Sequence, residues 1–290
     1  MKSSAHVKVP GSTSNLGSGF DTLGLAVNLH THVRLERVVS AGIELDGGHS
    51  ELSKVTGEAA GLFFRMAEAK PFGLRLRISG NVPIARGLGY SATVRVGILA
   101  GLNELSRAGL TREQLINLAT QLEHHPDNSS PSILGGFTVS GLINGEVRCL
   151  AFRVASKLKL VTLVPDFPIG TERARKLMPA FYSKADAVHA LNRAALITAA
   201  FAGGRLEALK GVFDDRIHQP YRQSLVPALP EVIAAGEKAG ALGGFLSGSG
   251  SAIICLAVNK PERIGQAMQR VMPHSEVMVL RVDNRGYTFA

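Results

Sequence analysis

Tryptophan is absent from the 290 residues, and aromatic side chains make up only 6% of them. Proteins that read nucleic acid by stacking need such rings beside clustered positive charge. No run of five Lys or Arg occurs, so no nucleic-acid partner is expected despite a formal net charge of +9. The two cysteines, Cys149 and Cys255, lie far apart in apolar segments. They supply neither a disulfide framework nor a Cys/His zinc spacing, and are expected as buried reduced thiols. No apolar run reaches the roughly 18–20 residues that span a bilayer. The opening Met1 to Val7 enters an alternating pattern without the apolar stretch of a signal peptide, so no membrane partner and a cytoplasmic location are expected.

Against these absences stand 45% hydrophobic and 19% charged residues, the balance of a folded chain with a substantial core. The positive excess suits anionic small ligands such as nucleotides. Strands are expected at Val7 to Pro10, Leu23 to Leu29, His32 to Val38, Leu74 to Ile78, Leu158 to Val164, Ala252 to Val258 and Glu276 to Val282, and Gly243-Gly244 reads as a turn. Helices are expected over 51–69, 91–107, 111–123, 172–177, 185–204, 229–239 and 261–271, the third begun by a Thr111/Gln114 capping box. Strands and helices mix without a strict alternation, which predicts an α+β fold. A boundary near residue 155 gives domains 1–155 and 156–290.

Four segments carry chemistry. Gly87 and Gly89 precede an expected helix, whose bare amides and dipole suit a phosphate. No lysine follows the second glycine and Thr93 holds the third-glycine place, so the loop is neither a Walker A loop nor a dinucleotide fingerprint. Alone it is better read as a plain strand-to-helix turn. The Ser91 hydroxyl can meet a phosphate-bound magnesium ion. In Glu123-His124-His125-Pro126-Asp127-Asn128, Glu123 suits Mg²⁺. Asp127 suits either a hydroxyl proton or a substrate ammonium. A polar turn is an equal reading of this segment. Ser247 to Ser251 alternates small residues, which fits a close backbone approach to a ligand or a tight hairpin. Pro10 to Asp21 reads as a loop of small polar residues, better placed to bind a ligand than to link strands.

Together, and in this order, the four segments resemble the GHMP kinase superfamily and, within it, the homoserine kinase branch. Pro10, Asn15, Leu16, Gly17, Gly19, Phe20 and Asp21 match the first motif. Pro83, Gly87, Leu88, Gly89, Ser91 and Ala92 match the ATP loop, and Leu246 to Gly250 the third motif. Glu123, His125, Pro126, Asp127 and Asn128 match a segment specific to the branch. Thr171 to Pro179 and His218 to Arg222 are similar to it as well. The resemblance implies a ribosomal protein S5 domain 2-like N-terminal domain and a ferredoxin-like C-terminal domain. It implies transfer of the ATP γ-phosphoryl to the side-chain hydroxyl of L-homoserine, toward threonine, and a homodimer. Pro83, Arg86, Gly87, Leu88, Gly89, Tyr90, Ser91, Ala92 and Thr93 would hold ATP, with Ser91 and Glu123 on Mg²⁺. Asn15, Asp21, His125, Asp127, Asn128, Arg175, Arg222 and Gly248 would line the homoserine site. Ser91, Glu123, Asp127 and Asn128 would carry catalysis.

The sequence departs from the pattern at Tyr90 for Ser, His124 for Gly, Thr93 for Ala and Ser251 for Pro. The Tyr90 phenol either obstructs the phosphate or points away. No asparagine near Thr56 marks an adenine pocket. Two other readings stand beside the first: a kinase of this fold for another small alcohol, such as mevalonate or a sugar, and a non-catalytic relative favoured by Tyr90.

Overall fold

Alternating inward Ala5, Val7 and Val9 start a strand, Ser4–Asn15 (β1), in a computed structural model that describes residues 2–46 and 50–290, without the side chains of Ser50 and Glu51. β1 turns at residues 16–18 into Gly19–Val38 (β2), and the two pair antiparallel from Ser4↔Glu36 to Asn15↔Gly19. The expected binding loop of Pro10 to Asp21 is thus mostly strand. Its hydroxyls are buried but not orphaned: Ser12 and Ser14 bond Asn128, and Thr13 lies beside Ser247. A buried polar strand is stable on that condition. The two expected strands Leu23 to Leu29 and His32 to Val38 are one continuous β2.

Next come Ile43–Leu45 (β3), Ser50–Met66 (α1), Gly73–Gly80 (β4), Tyr90–Ser106 (α2), Arg112–Glu123 (α3), Ser129–Leu134 (α4), Phe137–Ile143 (β5) and Glu146–Phe152 (β6). The order β11-β1-β2-β4-β3, with β5 on β2 and β6 on β5, makes a seven-stranded sheet. Its last strand to be made, Thr288–Phe289 (β11), pairs with Val7 and Lys8. The remaining elements are Lys159–Val164 (β7), Thr171–Arg175 (α5), Lys184–Ala202 (α6), Gln219–Arg222 (α7), Leu229–Ala239 (α8), Gly243–Leu246 (β8), Ile253–Ala257 (β9), Pro261–Val271 (α9) and Glu276–Arg281 (β10). These four strands form an antiparallel sheet in the order β10-β7-β9-β8. Counted along the chain that order is fourth, first, third, second, the ferredoxin-like arrangement. The fold is α+β, as the sequence predicts.

Gly243 and Gly244 lie in a strand rather than a turn. A Cβ on Gly243 would meet the Phe213 ring at 2.5 Å, and one on Gly244 the Cys255 sulfur at 2.8 Å. These glycines serve close packing. The Thr111/Gln114 capping box forms as expected, whereas α4, β6 and α7 have no counterpart in the sequence reading.

Helices α1, α2 and α3 pack on the first sheet, and α2 is buried along most of its length. A second core lies between the sheets and draws on both halves of the chain: Leu25 and Phe137 meet Leu160, Phe201 and Phe245. The Phe137 and Phe201 rings stack at 4.2 Å, a pairing that contributes about 0.5–1.5 kcal/mol beyond burial. A third core lies under α8 and α9. Where the sheets meet, the β1–β2 hairpin, the start of α2, the α3–α4 loop, α5, α7 and the β8–β9 turn converge.

Candidate active site

The start of α2 is left bare. Gly89 precedes it in a left-handed conformation, φ 73 and ψ 21, with no side-chain cap and no acidic residue in the first turn. The first amide of the turn to find a backbone partner is that of Thr93, on the Gly89 carbonyl at 2.9 Å. Unsatisfied helix amides with the positive dipole end make a seat for an anion. They face a cleft of about 240 Å³. The loop before them admits only glycine at two places. Added Cβ atoms on Gly87 and Gly89 would lie 2.0 Å from the Ser247 carbonyl and 2.3 Å from Ser12 Oγ. Ser247 also donates to the Gly87 carbonyl at 2.7 Å, so the β8–β9 turn holds the loop from behind.

Arg86 to Ala92 all line this cleft, while Pro83 and Thr93 do not. Thr93 is fully buried, bonded to Thr31 and to the Tyr90 carbonyl at 2.7 Å each. The Arg86 guanidinium is spent on the carbonyls of Ile84, Pro165 and Asp166, so its side chain is not free for phosphate. Tyr90 packs its ring against both the first and the second core, and burial pushes its phenol pKa up.

At the acidic edge Ser91 Oγ donates to Glu123 Oε1, 2.8 Å away. Glu123 ends α3, and the left-handed His124, φ 68, turns the chain away behind it. The Arg95 guanidinium, one helical turn beyond Ser91, contacts both oxygens through Nη1. Sequence reasoning missed Arg95. Its signal was a lone charge in the apolar run Val94 to Leu99.

The other end of the cleft carries paired opposite charges. Arg175 forks onto Asp21, with Nη2 and Nη1 at 2.7 and 3.1 Å from the two carboxylate oxygens. Asp21 is held in a left-handed backbone, φ 53, with its amide bonded to Asn15 Oδ1 at 3.1 Å. Asn15 in turn donates to the Gly248 carbonyl at 3.1 Å. His125 Nδ1 lies 2.5 Å from Asp127 Oδ1. Asn128 donates to Ser14 and accepts from Ser12, both at 3.0 Å. Arg222, only 2% exposed, donates to the same Gly248 carbonyl at 2.9 Å, and its Nε is buried without a partner. The guanidiniums of Arg175 and Arg222 lie 5.5 and 5.2 Å from the centre of the Phe20 ring, which also stacks on His218. Every residue expected at the homoserine site lies here, and Ser14, Phe20 and His218 join them.

These contacts shift the titrations. Burial alone would raise the Asp127 pKa, but the His125 bond and charge more than offset it and hold the carboxyl low. Burial opposes protonation of His125, yet Asp127 and then Asp21 raise its pKa. The pair thus favours its charged form, with the proton on the imidazole side. Burial first, and then the Arg175 charge, bring Arg222 down to about 10.

Residues 54–136 match the GHMP kinases N terminal domain, and residues 194–274 the GHMP kinases C terminal domain. The chain is 38% identical over 267 residues to the homoserine kinase of Moorella thermoacetica, covering 90% of each chain. It is 34% identical over 294 residues to that of Caldicellulosiruptor saccharolyticus, covering 97% and 95%. Its structure is similar to the crystal structure of homoserine kinase from Cytophaga hutchinsonii, with a TM-score of 0.90 at 25% identity, covering 100% and 98%.

Proposed function

The chain belongs to the GHMP kinases, on their homoserine kinase branch, and we infer from that membership that it is an ATP-dependent homoserine kinase. It transfers the γ-phosphoryl group of ATP to the side-chain hydroxyl of L-homoserine, a step toward threonine. One observation supports this most: complementary charges for an amino acid, Asp21 and Arg175, face a bare helix N-terminus across one cleft.

In this reading the amides of Gly87 to Ala92 cradle the triphosphate, and Tyr90 contributes through its backbone. Asp21 takes the substrate ammonium, Arg175 and Arg222 its carboxylate, and each arginine serves as a planar fork. Phe20 packs against both guanidiniums and helps to orient them. Asp127 acts as a fixed negative charge on His125 rather than as a base, because a carboxyl with a lowered pKa takes a hydroxyl proton poorly. Phosphoryl transfer tolerates this, since positioning and charge compensation supply most of the rate.

Ser91 Oγ and Glu123 Oε1 fit Mg²⁺. They are hard oxygen donors 2.8 Å apart, close to the roughly 3 Å between adjacent ligands of an octahedral ion with bonds of about 2.1 Å. When bound there, the ion supplies charge compensation for the phosphates. The proposal includes a division at 155/156, a cytoplasmic location and a homodimer. No helix among the described residues is long and apolar enough to cross a membrane. Exposed Phe181, Val188 and Leu191 on and before α6 support a self-contact.

ADP release with Mg·ATP and a panel of homoserine, mevalonate, galactose and threonine tests the assignment. Homoserine alone should drive strong turnover. No homoserine-dependent release, or a preference for mevalonate or galactose, refutes it.

A further inference from the structure

Arg95 stands in a stretch of α2 whose neighbours, Val94 and Val96 to Leu99, are all buried. Its Nη1 contacts Ser91 Oγ and Glu123 Oε1 at once. Those oxygens lie 2.8 Å apart, so Nη1 forms the apex of a small triangle on them. A magnesium ion held by the same two oxygens must also stand at such an apex. Guanidinium and metal therefore contend for one position. Water screens this contest weakly, because the side chains of Arg95 and Glu123 are only 13% and 10% exposed. A second acceptor is within reach. Arg95 Nη2 lies 3.7 Å from Glu58 Oε2 on α1, whose side chain is 44% exposed. The fork is not locked where it is, since Arg95 Nε is buried without a partner.

We propose that Arg95 is the resident cation of the magnesium half-site, a positioning residue that holds Ser91 and Glu123 in ligand register and yields Glu123 for Glu58 when metal and nucleotide bind. The inference rests on the magnesium reading of Ser91 and Glu123. It assigns Arg95 two opposed effects. The guanidinium keeps Glu123 from turning away, and it lowers metal affinity because it must first be displaced.

Mn²⁺ titrated into protein saturated with a non-hydrolysable ATP analogue, with free Mn²⁺ counted by electron paramagnetic resonance, reads this without turnover. R95M should bind Mn²⁺ about tenfold more tightly than wild type, equivalent to about 1.4 kcal/mol. E58Q should weaken Mn²⁺ binding severalfold in the wild-type background and leave it unchanged in R95M, where no guanidinium needs a new partner. Unchanged or weaker Mn²⁺ binding in R95M overturns the proposal. An E58Q effect of equal size in both backgrounds overturns the handover to Glu58. Should R95M fail to fold, R95Q keeps most of the side chain, lacks the charge, and decides by the same outcomes. E123Q separates this inference from the reading beneath it. Mn²⁺ affinity indifferent to E123Q removes the magnesium site itself. Affinity lost in E123Q but unchanged in R95M removes only the role of Arg95.

Discussion

At the scale of single residues, Tyr90 shows how a side chain can differ from its family pattern while the backbone around it keeps its bare amides. Its ring fills space between two cores, and its amide remains at the bare start of α2. Tyr90→Ser should therefore cost stability, about 1–3 kcal/mol for a half-buried aromatic, with little change in the KM for ATP. Urea denaturation and steady-state kinetics check both halves. A large drop in that KM without loss of stability would show the phenol to be an obstruction. The convergence of the charged end of the cleft was legible because each residue sits in a motif: Asn15, Asp21, His125, Asp127, Asn128, Arg175, Arg222 and Gly248 all reach the cleft. Arg95 was not legible, because an arginine inside a helical run takes meaning only from what stands opposite it. Here that is Glu123, on another helix.

At the scale of elements, the capping box of α3 shows which local signals survive folding. Thr111 and Gln114 satisfy each other within one turn, so no tertiary contact can overrule them. The other end of the same helix is less well served. His124 occupies the left-handed C-terminal position, φ 68, where an L side chain is strained and glycine is not. His124→Gly should stabilise the protein by about 0.5–1 kcal/mol, read as a higher urea midpoint at unchanged slope. An unchanged or lower midpoint refutes the strain. The segment Ser12 to Ser14 was illegible for the opposite reason. Small hydroxyl residues read as loop because their partners, Asn128 and Ser247, are far along the chain. Gly243 and Gly244 misled likewise: turn and close packing both call for glycine, and only Phe213 and Cys255 decide between them.

At the scale of the molecule, the mixed α+β character follows from the order of elements, but the joining of the halves does not. The inter-sheet core takes Leu25, Val27 and Phe137 from one half and Leu160, Phe201 and Phe245 from the other. Neither half buries that face alone. Calorimetry should accordingly find one cooperative transition, with a ratio of calorimetric to van't Hoff enthalpy near one. Two resolved transitions would mean that the division at 155/156 separates independently stable units. The positive excess of the chain is similarly global: it favours the approach of an anionic ligand without fixing where that ligand binds.

The strand β11 has a consequence in time. Val7 must wait for Phe289, near the far end of the chain, before that edge of the first sheet is covered. Pairing across such a separation is slow, and an uncovered edge is a template for strands of other molecules. During synthesis the nascent protein thus passes through an interval in which β1 is made but unguarded. Crowded production at high temperature lengthens the odds against it at that stage.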